Sequence, residues 1–236
     1  MEQSKIFALT QERRRETIDQ LLNVSLLTPE YVLLLVLSSI IVVAGLLIDS
    51  ASVIIGGMVV APLLSPILTM SMGFALADFR LLRKAARTLI ISIVLAIGLA
   101  LILSLFSRPD QLNGEILERS SASLVHFLIA VCVGVLAAFS HVKPNISSTL
   151  IGIAVSVALL PPIAVTGIGI AIMDWSLVSG SLLLFILNLI GIIFPATMIF
   201  SLMGFYPLRY HARQALQKEE EKAASEWKEL EDKTKE

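Results

Sequence analysis

The chain has 236 residues, 56% of them hydrophobic and only 16% charged, with a formal net charge of -1. Soluble domains carry roughly 25% charged residues. Here the charges sit between apolar runs of about 20 residues, which excludes a large soluble core and reads as helices that span a bilayer. The basic residues follow a topology pattern and form no separate patch, so nucleic acid is not expected as a partner.

Residues 1–30 read as a cytoplasmic amphipathic N-terminal segment, with Ile18, Leu21, Leu22, Leu26 and Leu27 set against the polar stretch 12–16. The segment is too polar for a cleavable signal peptide, and the first apolar run starts too late for one. Thr28-Pro29-Glu30 supplies a cap, a proline at the first helical position and an acid in the first turn. A first span over 31–48 follows, closed by Asp49 and Ser50. The second apolar run, 51–77, is longer than a hydrocarbon core of about 30 Å needs at ~1.5 Å per residue, and it contains Pro62 and Pro66. A third span covers 88–106.

A polar extracytoplasmic loop, 107–120, leads to a fourth span over 121–140. After a short turn comes another overlong run, 146–173, interrupted by Pro161 and Pro162, and then a sixth span over 176–205 containing Pro195. Residues 206–236 are expected to form a charged cytoplasmic helix. It is supported by Glu219–Lys222, Glu229–Lys233 and Glu231–Lys235 pairs and reads as solvated. Leu216, Ala223 and Leu230 repeat every seven residues, too thin a pattern for a coiled coil. Cys132, the single cysteine, cannot form an internal disulfide and is expected to pack as a small apolar residue. His126, near the start of the fourth span, is expected at the membrane interface. The sequons at Asn23 and Asn145 fall on the cytoplasmic side and carry no meaning for glycosylation.

Sixteen of the eighteen Lys and Arg residues fall on one side of this six-span path, and only Arg108 and Arg119 on the other. The excess of basic residues in cytoplasmic segments then puts both termini in the cytoplasm, and the cell (inner) membrane is the expected location. If either proline-bearing run merely dipped and returned, this bias would weaken, so both are read as crossings.

A shift of 96 residues superimposes 51–82 on 147–178 without a gap, with 12 of 32 positions identical. Shared hydrophobicity would match some leucines and isoleucines, but Gly56/Gly152, Pro66/Pro162, Gly73/Gly169 and Asp78/Asp174 also coincide. The expected fold is therefore all-α: a polytopic membrane bundle of six transmembrane helices in two three-helix repeats, 31–106 and 121–205. Three spans is an odd number, so the second repeat enters from the opposite side, and the topology is inverted. The second and fifth helices are expected to be broken by proline, a feature of many secondary transporters.

The stretches IIGGMVVAPLLSPIL (54–68), Ala77-Asp78, VALLPPIAVTGIGIA (157–171) and LNLIG (187–191) resemble the "uncharacterised hydrophobic domain" family, domain-of-unknown-function family 389. The resemblance covers about residues 30–205 and implies a bacterial or archaeal multi-pass membrane protein. Many members carry a further soluble domain before the first span, where this chain has only a short segment. The family has no firmly assigned activity, so the resemblance implies none here.

Without charges deep in the spans, polar groups carry what chemistry there is. Ser65, Pro66 and Thr69, with Ser71, surround the first proline break; Ser156, Pro161, Pro162 and Thr166 surround the second. Asn188 lies near the middle of the sixth span, and the repeat sets Ser92 opposite it. A proline removes one N–H and blocks the carbonyl four residues before it. Such groups must face protein or a polar cavity. The eight residues Ser65, Pro66, Thr69, Ser156, Pro161, Pro162, Thr166 and Asn188 are therefore expected to line one small substrate site between the repeats. Half-helix N-termini there favour anionic or dipolar solutes, and exposed carbonyls favour cations. The alternative is that the prolines are kinks whose freed carbonyls are satisfied by the hydroxyls.

Gly57/Ala61, Gly152/Ser156 and Gly167/Ala171 have the small-xxx-small spacing of close helix contacts, read first as internal packing and second as a homo-oligomer interface. HExxH, CxxC, GxSxG and a phosphate-cradling Gly-rich loop are missing from the sequence, so an enzyme, a cofactor and a metal are not expected. The expected function is a carrier or channel-like protein for a small solute or ion in the lipid bilayer. The alternative is a scaffold or sensor acting through its termini.

Overall fold

The computed structural model describes residues 9–23, 27–107, 112–143 and 148–233, without the side chains of 23, 148–158 and 230–233. Among these residues the chain is helical, with no strand. In order the helices are α1 (Gln11–Asn23), α2 (Pro29–Leu47), α3 (Ala51–Val60), α4 (Leu64–Ala75), α5 (Phe79–Phe106), α6 (Gly114–Glu118), α7 (Leu124–Val142), α8 (Ser148–Ala171), α9 (Trp175–Leu202) and α10 (Arg209–Lys233), the last entered through a 3-10 turn at Tyr206–Leu208.

Helices α2, α5, α7 and α9 are each long and apolar enough to cross a bilayer. The pair α3 and α4, bent by 56°, makes a fifth crossing if taken as one. At about 1.5 Å per residue the 28-residue helices α5 and α9 are ~42 Å long. The third apolar span, 88–106, lies within a longer helix that starts at Phe79, so basic first turns lead into the apolar part without interruption.

Helix α8 lies at the centre, packed by α2, α3, α5, α7 and α9. Every residue from 159 to 169 is buried, as expected for a helix that is apolar on all sides. One expectation fails here. Pro161 and Pro162 do not break the fifth segment; both lie inside the continuous helix α8. Surrounded by helices, this stretch keeps the most main-chain hydrogen bonds by staying helical and giving up only the donors its two prolines lack. The break does occur in the second segment, at residues 61–63 between α3 and α4. Pro62 ends α3, and Pro66 falls in the first turn of α4, where a missing N–H costs nothing.

Two helix reversals are alike in detail. In the first, Ala77 takes a positive φ of 48°, the Asp78 N–H donates to Gly73 O at 3.0 Å, and Asp78 then caps α5. In the second, Met173 takes φ 60°, the Asp174 N–H donates to Gly169 O at 2.9 Å, and Asp174 caps α9. These are left-handed helix ends with a 6→1 main-chain bond, followed at once by a side-chain N-cap. The glycine in each lets the next helix lie close. A Cβ on Gly73 would stand 3.1 Å from Leu82 N, and one on Gly169 3.2 Å from Val178 N. The element bounds also agree under the 96-residue shift, since α4 and α8 end at Ala75 and Ala171, and α5 and α9 run Phe79–Phe106 and Trp175–Leu202.

The remaining helices close the two ends of the bundle. Arg13 of α1 donates from Nε to Val142 O at 2.9 Å and from Nη2 to His141 O at 3.2 Å, setting a cation on the C-terminus of α7. The tail is not the freely solvated helix the sequence suggested. Ala212 and Leu216 of α10 are buried, His211 Nε2 lies 3.0 Å from Asp19 Oδ1, and Trp227 Nε1 donates to Leu27 O at 2.7 Å. At the other end, the loop after α5 contains α6, which folds back on the turn between α2 and α3. Asn113 Nδ2 donates to Leu46 O at 2.6 Å, and the Glu115 N–H donates to Asp49 Oδ1 at 3.1 Å. Cys132 differs from expectation as well, since it is exposed on the outside of α7. His126 accords with an end position, with Nδ1 2.8 Å from the capping Ser123 Oγ.

Small residues serve internal packing. Gly57 faces Val42 of α2, and Gly167 faces Ile97 and Ala100 of α5. Gly134 has the tightest fit of this kind between long helices: a Cβ there would stand 2.5 Å from Ile192 O and 2.8 Å from Ile192 Cα. Gly98 has open space at the same test. Gly134→Ala is therefore expected to destabilise the protein by about 1–3 kcal/mol through forced separation of α7 and α9. Gly98→Ala should be neutral or stabilising by up to about 1 kcal/mol. Thermal unfolding of the two variants in detergent checks the difference.

Candidate functional site

The expected site residues divide between several interfaces. Ser65 is half-buried and Pro66 buried at the start of α4, beside the 56° bend. The bend changes partners: α3 packs on α2 and α8, whereas α4 packs chiefly on α5 and α9. Thr69 is buried but turns toward the N-terminal helix, its Oγ1 donating to Leu21 O at 3.3 Å. Ser71 Oγ donates to Ile67 O in its own helix at 3.0 Å. Pro161 and Pro162 are buried in α8, and the Ser156 side chain lies outside the described residues.

Thr166 is brought together with a residue the sequence reading did not name. Its Oγ1 donates to Pro162 O at 2.9 Å and lies 2.8 Å from Ser181 Oγ of α9. This bridge between α8 and α9 is buried at both residues. Asn188 is buried in α9, one residue before Leu189. Its counterpart Ser92 is committed to α2, with Oγ 2.8 Å from Tyr31 OH and donating to Thr88 O at 2.8 Å. The hydroxyls thus bond largely to nearby carbonyls and to one another, the pattern expected where polar groups lie among apolar helices.

Between α4 and α9 the surface opens into a groove of about 400 Å³, lined by Met70, Phe74, Leu189, Ile193 and Phe194 among others. It is almost wholly apolar. Thr197 beside it ties the two helices, donating to Ser71 O at 3.3 Å and Ile193 O at 2.8 Å.

A charged centre that the sequence reading treated only as a helix end is Asp78. Its side chain is fully buried at 0% exposure. Oδ1 accepts from the N–H groups of Arg80 and Leu81 at 3.0 and 3.2 Å, and Oδ2 accepts from Arg209 Nε at 3.3 Å and from Arg213 Nε. Burial pushes the carboxyl pKa up, but the hydrogen bonds from Arg213, the Leu81 N–H and Arg209 outweigh it and hold the group below its ordinary 3.8. Asp174 makes the same cap with Ser176 and Leu177, yet it is half-buried and has no ion pair among the described residues. One turn is locked by the tail helix and its twin is not. The i,i+4 spacing of Arg209 and Arg213 was the available sequence signal, but nothing in the sequence placed that face of the tail against residue 78.

The all-helical fold and its run of long apolar helices define a protein of membrane type. Residues 58–194 match the family described as Domain of unknown function (DUF389), and the chain belongs to that family. It is also similar to the uncharacterized protein MJ0678 of Methanocaldococcus jannaschii, with 33% identity over 207 residues. That alignment covers 87% of this chain and 64% of the relative, so the chain spans less than two thirds of the protein it matches. No solved structure matches it.

Asp78→Asn should weaken the lock by about 1–3 kcal/mol, toward the lower end because Arg209 and Arg213 are 41% and 47% exposed and remain hydrated without it. Because the folded carboxyl titrates below its unfolded value of 3.8, its contribution is complete above that value and is lost as pH falls through the lower folded value. Thermal unfolding of the native protein and Asp78→Asn at neutral pH and near pH 3 checks this. The stability gap between the two should be level in the neutral range and shrink in acid.

Proposed function

We propose that this protein is a six-crossing membrane carrier or channel-like protein for a small solute or ion, built from two inverted repeats. The crossings are α2, the bent pair α3–α4, α5, α7, α8 and α9, with both termini in the cytoplasm of the cell. The observation that carries the reading is the pair of matched reversals at Gly73–Asp78 and Gly169–Asp174. Asp78 bonds to Arg209, a few residues beyond the end of α9, whereas Asp174 begins α9, so the two turns are separated by the length of that helix. The packing supports the same relation. Exchanging the repeats exchanges the α5–α8 contact with the α9–α4 contact, and both are extensive. The split of basic residues supports the cytoplasmic placement of the Asp78 end.

In this reading the solute passes where the bend at residues 61–63 faces α8, and the Thr166–Ser181 bridge ties α8 to α9. No covalent chemistry is involved; the protein acts by binding and passage. A second reading, a scaffold or sensor working through its termini, draws support from the closure of one end of the bundle by α1 and α10. Proteoliposomes challenged with gradients of sodium, potassium and small-anion salts discriminate between the two. A carrier gives saturable flux above empty vesicles, and the rate changes in Thr166→Val combined with Ser181→Ala. A scaffold gives no flux with any of these salts.

A further inference from the structure

We infer that the cleft between α5 and α10 binds the headgroup of an anionic phospholipid, held by Lys84 and Arg87, with its acyl chains lying along α5. The inference rests on the membrane reading above but not on transport.

The first three turns of α5 carry Arg80, Arg83, Lys84 and Arg87. Two of these cations are answered by one acid of the tail: Glu220 takes Lys84 Nζ at 2.8 Å and Arg80 Nη2 at 3.3 Å. Arg83 stacks over the Phe79 ring at 4.9 Å. Arg87 is exposed and has neither an ion pair nor a hydrogen bond among the described residues. The local charge is therefore positive, with its uncompensated cation furthest along the helix toward the apolar part.

Beside Arg87 is a cleft of about 440 Å³, lined by Leu27, Lys84, Arg87, Thr88, Glu220 and Trp227. Its lining is mixed, with Leu27, Ala223, Ala224 and Trp227 apolar and Lys84, Arg87 and Glu220 charged. Trp227 is fixed in place by its Nε1 bond to Leu27 O and remains 39% exposed, the placement of an aromatic side chain at a membrane interface.

What selects a lipid over a free anion is the surface that continues from this cleft. Ile90, Ile91 and Val94 lie three, four and seven residues after Arg87, on the same face of the helix. They are 59%, 37% and 64% exposed. One face of α5 thus changes from basic to apolar at Arg87, which marks the level where headgroup gives way to hydrocarbon. A phosphodiester at that level meets Arg87 and Lys84, while its acyl chains meet Ile90, Ile91 and Val94. A soluble phosphate has no use for the apolar strip. Arginine offers a planar fork to the phosphate oxygens.

The test uses the full chain purified in a neutral detergent. Thermal unfolding and native mass spectrometry are followed during titration with phosphatidylglycerol, phosphatidylcholine or inorganic phosphate. Phosphatidylglycerol should raise the unfolding temperature and stay bound, and phosphatidylcholine should do so much less. Arg87→Gln should weaken phosphatidylglycerol binding roughly fivefold, the effect of one cation at an anionic surface. Arg87→Lys should retain most of it. Because Arg87 is exposed, both variants should unfold like the native protein when no lipid is added. Equal effects of the two lipids, or an Arg87→Gln variant that binds like the native protein, would overturn the site. An equal effect of inorganic phosphate would assign the cleft to free anions and overturn the lipid. Recovery of the chain in the soluble fraction of cells would instead sink the membrane reading, and the site with it.

Discussion

A helix that ends among other apolar helices leaves carbonyls without donors, and the helix that follows begins with N–H groups without acceptors. The paired turns at Gly73–Asp78 and Gly169–Asp174 solve both problems within six residues. The 6→1 bond to the glycine carbonyl closes the outgoing helix, and the aspartate side chain takes two N–H groups of the incoming one. Holding Ala77 and Met173 in the left-handed region costs roughly 1–2 kcal/mol each. The cap and closing bonds, at about 1 kcal/mol apiece, offset that cost. The glycines allow the two helices of each hairpin to touch along their backbones. The antiparallel run of α4 against α5 and of α8 against α9 follows from these two reversals.

The same requirement explains why the two proline-bearing segments differ. The second segment opens at residues 61–63, and its halves pack on different partners. The fifth stays helical because it is enclosed on several sides, and its hydroxyl Thr166 bonds within the helix and across to Ser181. The two matched stretches of sequence therefore share their reversals but not their centres, one being bent and the other continuous and buried. A further asymmetry lies at the ends, where Asp78 is locked by Arg209 and Arg213 and Asp174 is left accessible.

Much of this was legible in the sequence for physical reasons that can be named. The apolar runs marked the long helices, Thr28 capped α2 as its residue type foretells, and the Gly, Pro and Asp coincidences at a shift of 96 marked the positions where matching turns formed. What was not legible were choices made by tertiary contact. Pro161 and Pro162 stay inside α8. The shift of 96 sets Pro162 against Pro66, which is itself helical, and Ala158 against Pro62, so only the second segment has a proline at the place where it breaks. The helices around α8 then keep the fifth segment continuous. Thr69 looked like a site residue by its neighbours, but α1 turned out to need a donor at Leu21. Ser181, the seventh residue of α9, gained its meaning from Thr166 across the interface. The tail looked solvated because its charges dominate, although Ala212 and Leu216 give it a buried edge.

In the proposed six-crossing arrangement the two matched turns face opposite sides of the membrane. Phe79 and Trp175 occupy equivalent positions just after the capping aspartates and are 65% and 72% exposed. The single native cysteine can be removed as Cys132→Ala, and Phe79→Cys or Trp175→Cys introduced one at a time into intact cells treated with a membrane-impermeant maleimide. In that arrangement Trp175→Cys is labelled directly and Phe79→Cys only after the membrane is opened. Labelling of both from the same side would contradict it.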